Sequence, residues 1–245
     1  MAEPSGSWDL APDEIHVWRA GLDEPEGKVR RLARLLSDEE RERADRFVLD
    51  RVRRRFIVGR ALLRTILGRY LGPSPDQIRF AYGAHGKPAL APPDDEAGLR
   101  FNVSHSDGLA LYAIGRGREI GVDVERIRPL PGAERIAERF FSLPERTALQ
   151  ALPASAKLEA FFTCWTRKEA YIKARGDGLG HPLDQFAVTL APGEPARLWP
   201  AGADDGHEVS RWSLEALPPA PGYVAAVAAR GRGWRVASRR WPQGA

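Results

Sequence analysis

Hydrophobic and polar positions alternate through EIHVWRA, residues 14–20, and that period of two predicts a strand. From Ser37 the pattern changes. Ser37 precedes Asp38, Glu39 and Glu40, a helix start with acidic residues in its first turn and the spacing of a capping box. Helical periodicity runs through residues 41–49 and again through 52–71, until LGPSPD interrupts it. Residues 77–82 read as a strand, and 84–98 as a loop punctuated by glycine and proline. Three strands are expected at 99–103, 109–114 and 119–125. After the linker IRPLPG, helices are expected near 132–140, from Pro144, where proline suits a first turn, and over 155–174. The remainder reads mainly as strand, at 186–190, 197–198, 209–214, 223–229 and 234–237.

The two long helices form a weak internal repeat, RFIVGRALL in the first and FTCWTRKEA in the second, each leading into strands. Helix-then-strand order, in place of regular βαβ alternation, predicts an α+β fold. Two pseudo-symmetric halves are expected, 1–117 and 118–245, each a long helix on a small, mainly antiparallel sheet. A cleft between such halves is a common place for a small-molecule site.

Composition narrows the class. A chain of 245 residues buries a full core without staples. Its one cysteine, Cys164, cannot form an internal disulfide, which fits a reducing, cytoplasmic setting. The N-terminal segment lacks the basic start and apolar run of a signal peptide, and no apolar stretch reaches the length of a membrane span. The net charge of +4 permits an anionic ligand without identifying one. Only five of the 37 basic residues are lysines, and three of those, Lys87, Lys168 and Lys173, fall in the motifs that follow.

In GVDVE, residues 121–125, a strand directs Asp123 and Glu125 to one face. The pair reads either as a solvated acidic strand face or as oxygen ligands for a hard divalent cation such as Mg²⁺. In WTRKEAYIK, Glu169 and Lys173 stand one helical turn apart, as a surface ion pair or as a metal ligand beside a phosphate-binding ammonium. FNVSHS ends a predicted strand in a turn that would display Ser104 and His105, either capping backbone groups or meeting a phosphate. It lacks the flanking glycines of a nucleophile elbow. Gly86-Lys87-Pro88 sits in the loop before that strand and is not a P-loop. The run Arg51, Arg53, Arg54, Arg55, Arg60 and Arg64 lies on an amphipathic helix, as a solvated basic face or as an anion or nucleic-acid contact.

Taken in order, GKP, FNVSHS, GVDVE, RFFSLPE, WTRKEAYIK and GDGL make the chain resemble the surfactin-synthetase type of 4′-phosphopantetheinyl transferase, over about residues 37–188. The resemblance implies a monomer with coenzyme A in its cleft and an apo acyl or peptidyl carrier protein as partner, with no role for nucleic acid or membrane. It implies Asp123, Glu125 and Glu169 as Mg²⁺ ligands, with Mn²⁺ also served by oxygen donors. Lys173, Lys87, Ser104 and His105 match phosphate contacts, and Arg43 and Arg55 match positions that meet the adenosine 3′-phosphate. Lys168 belongs to the KE pair. Glu169 is expected as general base, with Glu145 as second candidate. Two departures, Glu40 in place of a base and Phe56 in place of a small hydroxyl residue, bear on the adenosine end. The rival readings are a Mg²⁺-dependent pyrophosphatase acting on a nucleotide cofactor and a nucleic-acid-binding module built on the Arg51–Arg64 helix.

Overall fold

The computed structural model describes residues 8–202 and 206–242. Along the chain run β1 (Glu14–Gly21), α1 (Glu26–Ala33), α2 (Asp38–Asp45), α3 (Asp50–Leu71), β2 (Phe80–Tyr82), β3 (Pro88–Leu90), β4 (Leu99–Ser106), β5 (Leu109–Arg116) and β6 (Ile120–Arg126). There follow α4 (Ala133–Phe140), α5 (Leu143–Ala151), α6 (Ala154–Arg175), β7 (Phe186–Val188), β8 (Leu198–Pro200), α7 (Gly206–Val209), β9 (Trp212–Leu217), β10 (Tyr223–Arg230) and β11 (Arg235–Arg240). The class is α+β, as the element order predicts.

Local chemistry sets the helix limits. At α2 the Ser37 hydroxyl accepts from the Glu40 N–H and the Glu40 carboxylate accepts from the Ser37 N–H, completing the capping box. At α5 the Glu145 carboxylate likewise accepts from the Ser142 N–H, at 2.7 Å. The two 22-residue helices, α3 and α6, both stop at a glycine with positive φ, Gly72 and Gly176.

Two sheets carry the same plan. β1, β5 and β4 pair antiparallel in that order, and β6, β10 and β9 pair antiparallel in theirs. Helix α3 buries Val58, Leu62 and Ile66 against the first sheet, and α6 buries Phe161, Ala170 and Tyr171 against the second. A third core fills the space between the sheets, where Ile15, Val17 and Leu111 meet Val122, Val124 and Val227. The last strand crosses back: β11 pairs parallel with β1, so residues 235–240 belong to the sheet of the first half.

Five local features differ from expectation. Residues 26–33 form a helix, and the expected loop 84–98 holds strand β3, paired with β2. Helix α2 ends at Asp45, short of the expected 49, and the expected strand 209–214 begins as the end of α7. Above all, FNVSHS does not end in a turn at Ser104. Strand β4 continues through Ser106, and the turn falls at Asp107 and Gly108. The cause is a second, polar ladder. The side-chain oxygens of Asn102, Ser104 and Ser106 accept the N–H groups of Val122, Val124 and Arg126 at 2.8, 3.4 and 3.1 Å. These alternate positions of β4 join the two sheets and satisfy backbone donors of β6.

Candidate active site

The site begins with a glycine. A Cβ on Gly121 would lie 2.1 Å from the Ala170 carbonyl oxygen and 2.2 Å from the Ala174 nitrogen. Only glycine lets β6 lie this close to α6. That contact sets Asp123 and Glu125, alternate residues of the strand, against the helical face that carries Glu169 and Lys173.

Asp123 is buried at the centre. Its Oδ1 accepts from Lys173 Nζ at 2.6 Å and from the Ser104 hydroxyl at 2.8 Å, and Lys173 Nζ also donates to Ser104 Oγ at 3.1 Å. Its Oδ2 is buried with no hydrogen-bond partner. Glu125 accepts from the Ser106 hydroxyl at 2.7 Å. Burial raises the Asp123 carboxyl above its ordinary pKa, outweighing Lys173 and Ser104, which lower it. Burial also raises Glu169, with the charges of Asp123 and then Glu125 pushing the same way. The three carboxylates therefore feel one another, with a single lysine set among them.

Among the described residues, no group of three or more His, Cys, Asp or Glu side chains is gathered to hold a metal ion. The expected trio shares a neighbourhood without closing on one point. Its chemistry nevertheless suits a hard divalent cation, because the donors are all oxygen, they repel one another, and one buried carboxylate oxygen has no partner.

The other expected residues separate into two groups. Ser104 stands in the site. His105, the next residue, points to the alternate side of β4 and is exposed; desolvation and the nearby Lys173 charge hold its imidazole below its ordinary pKa. Arg55 lies at the rim, held by both oxygens of Asp23 at 2.7 Å and by Asp107 at 2.7 Å, and those bonds raise its pKa. A cavity of about 570 Å³ there is lined by Asp23, Arg51, Arg55, Asp107 and Arg126. Arg43 is exposed, with its guanidinium over the Phe56 ring. Glu40, the departure from a base, is buried against Arg64.

Lys87 and Glu145 are placed otherwise than expected. Lys87 donates to the carbonyl oxygens of Ile120 and Ala174, both at 3.2 Å, and to Glu119 at 3.4 Å. Its ammonium ties the β2–β3 hairpin to the start of β6 and the end of α6. Glu145, the second candidate base, is 1% exposed and fully bonded. It accepts from Lys168 Nζ at 2.7 Å, from the Val188 N–H at 2.8 Å and from the Ser142 N–H at 2.7 Å. Lys168 adds a bond to the Phe186 carbonyl at 2.7 Å. A carboxylate held by three donors and without a solvent face is shut off from a substrate proton, so Glu145 and Lys168 form a latch joining α5, α6 and β7. Conversely, Gly121, Asn102 and Ser106 matter to the site and were missed. The alternation of Asn102, Ser104 and Ser106 was the signal available for two of them.

A larger cavity, about 760 Å³ between α4, α5 and α6, is lined by Glu134, Arg135, Arg146 and Lys157 and contains none of these carboxylates.

One buried and two half-buried carboxylates, a lysine and an arginine rim have the chemistry to receive an anionic substrate. Residues 24–115 match the N-terminal domain of 4′-phosphopantetheinyl transferases, and residues 119–228 match the 4′-phosphopantetheinyl transferase superfamily. The chain is 46% identical over 226 residues to the 4′-phosphopantetheinyl transferase HetI of Nostoc sp., covering 92% of each chain. It is 35% identical to a 4′-phosphopantetheinyl transferase of Bacillus subtilis, covering 79% of each. It is 34% identical to the transferase Sfp of Bacillus subtilis (strain 168), covering 65% of this chain and 69% of that one. The chain belongs to the 4′-phosphopantetheinyl transferase superfamily and is an enzyme that transfers phosphopantetheine to carrier proteins. Neither the pyrophosphatase nor the nucleic-acid reading gains support. Among the described residues, no helix is long and apolar enough to cross a membrane.

Proposed function

We propose that the chain is a surfactin-synthetase-type transferase that takes 4′-phosphopantetheine from coenzyme A, with Asp123, Glu125 and Glu169 as ligands of Mg²⁺ or Mn²⁺. The observation that carries this reading is the Asp123 carboxylate, buried, with Oδ1 on Lys173 and Ser104 and Oδ2 unpartnered. The bound cation supplies Lewis-acid charge and a template for the pyrophosphate. Lys173 offsets the charge that develops on the phosphate oxygens. Glu169 serves as general base for the carrier serine. The carrier serine oxygen attacks the pantetheine-side phosphorus and its proton passes to Glu169. The bond to the adenosine-side phosphate breaks, and adenosine 3′,5′-bisphosphate leaves.

Residues 118–245 supply metal and catalytic groups, while residues 1–117 receive the phosphates and adenosine. Arg43 and Arg55 lie at the rim where the 3′-phosphate would bind, and Arg55 would exchange its carboxylates for it. The enzyme acts as a cytoplasmic monomer, a setting supported by the buried free thiol of Cys164.

The test is to incubate the protein with Mg²⁺, coenzyme A and an apo carrier and to weigh the carrier. Wild type adds one phosphopantetheine group. Glu169→Gln and Asp123→Ala each lower turnover by about 10³-fold or more with the thermal transition retained. Near-normal turnover by either folded variant removes the site assignment.

A further inference from the structure

We propose that Lys173 is the resident counter-ion of Asp123 in the metal-free enzyme, and that it must leave Oδ1 before a divalent cation can use that oxygen. The inference rests on the metal reading above and adds an order of events. Lys173 reaches its phosphate only after the cation has displaced it.

Asp123 is 6% exposed, and its position is fixed by the strand, by the Gly121 contact with α6 and by Ser104. Its two oxygens are unequal. Oδ1 holds both donors, at 2.6 and 2.8 Å, and Oδ2 holds none. A dication sharing this oxygen with the ammonium would be repelled by it at close range, even in a partly screened setting. One of the two cations must move. The lysine can: its side chain is 30% exposed on a flexible four-carbon stem. Ser104 can stay, because its hydroxyl is also held by the Val124 N–H across the β4–β6 ladder.

The molecule contains its own control. Lys168 makes an equally short bond to a carboxylate, 2.7 Å to Glu145, yet both side chains are 0% exposed and neither adjoins an unpartnered carboxylate oxygen. The same chemistry is locked in one place and releasable in the other.

With five lysines in the chain, ¹⁵N labelling of lysine side chains gives a spectrum in which single ammonium groups can be followed. In the metal-free protein, Lys168 and Lys173 should both show ammonium resonances protected from exchange. Mg²⁺ alone, without coenzyme, should remove the protection of Lys173 and leave Lys168 unchanged. By calorimetry, Lys173→Met should bind Mg²⁺ roughly tenfold more tightly than wild type. The proposal is overturned if Lys173 stays protected at Mg²⁺ concentrations where binding heat is seen. It is equally overturned if neither wild type nor the variant binds Mg²⁺. Carrier modification enters neither measurement, so a failure of the transferase reading is seen separately, in the mass of the carrier.

Discussion

The two halves of the molecule share a frame and differ in their chemistry. In the first half the capping-box acid Glu40 bonds the buried Arg64 at 2.7 Å, Arg64 donates to the Ile78 carbonyl at 2.7 Å, and its guanidinium lies over the Phe80 ring. In the second half the capping-box acid Glu145 bonds the buried Lys168 at 2.7 Å, and Lys168 donates to the Phe186 carbonyl and lies over the Phe186 ring. Each latch joins a short capped helix to the long helix and the strand after it. One residue beyond the latch the halves part. Glu169 follows Lys168, whereas Thr65 follows Arg64 and turns its hydroxyl back to the Ala61 carbonyl. Strand β6 turns Asp123 and Glu125 toward its long helix, while its counterpart β1 turns Trp18 and Ala20 into the apolar core with α3. The latch therefore belongs to the architecture, and the carboxylates are what the second half adds to it. A buried charge at a repeated structural position is weak reason to infer catalysis.

Breaking the latches tests this division most strongly. Lys168→Met leaves the buried Glu145 without its cation and should cost about 3–5 kcal/mol in urea unfolding, and Arg64→Met should cost less, because Arg60 still stands 3.4 Å from Glu40. If only Lys168→Met is destabilising, the two latches are not equivalent. A smaller effect is expected at Gly121, which has no equal in β1. Gly121→Ala forces β6 away from α6 and should cost about 2–3 kcal/mol. Turnover should fall by about a hundredfold, since small misplacements of catalytic groups are expensive. An alanine variant with normal turnover would show that the close approach is not what aligns the carboxylates.

The smallest effect belongs to the first half alone. His16 is buried, with Nδ1 2.5 Å from the Tyr70 hydroxyl and Nε2 near both Glu14 and Arg239. Burial above all, and then the Arg239 charge, holds its imidazole below the ordinary value of 6.5. The unfolded chain thus takes up this proton at higher pH than the native fold does. Its contribution to stability is complete above about pH 6.5 and is lost as pH falls toward the lowered native value. The melting temperature should drop on the order of 2 °C more between pH 7 and 5 in wild type than in His16→Gln. An unchanged slope in the variant removes His16 as the cause.

Much of this was legible in the chain because it is local. The period-two run of β1, the Ser37 and Ser142 caps, the glycine stops and the 3.6-residue stripes of α3 and α6 are each set by residues within a turn or two. So were the pairings that need only one element, Asp123 with Glu125 on a strand and Glu169 with Lys173 on a helix. Helix α1 was missed because it is short and highly charged. The strand through Ser106 was missed because its partner donors lie on β6, about twenty positions away in the chain.

The sequence by itself determined the class of fold, the two long helices and the residue types on each face, since those follow from neighbours along the backbone. Only the tertiary structure decided the surroundings of each acid. Glu145, Glu169 and Glu40 are the same side chain. What separates them is whether folding sets them against a buried cation or beside other carboxylates, and that depends on which distant groups arrive.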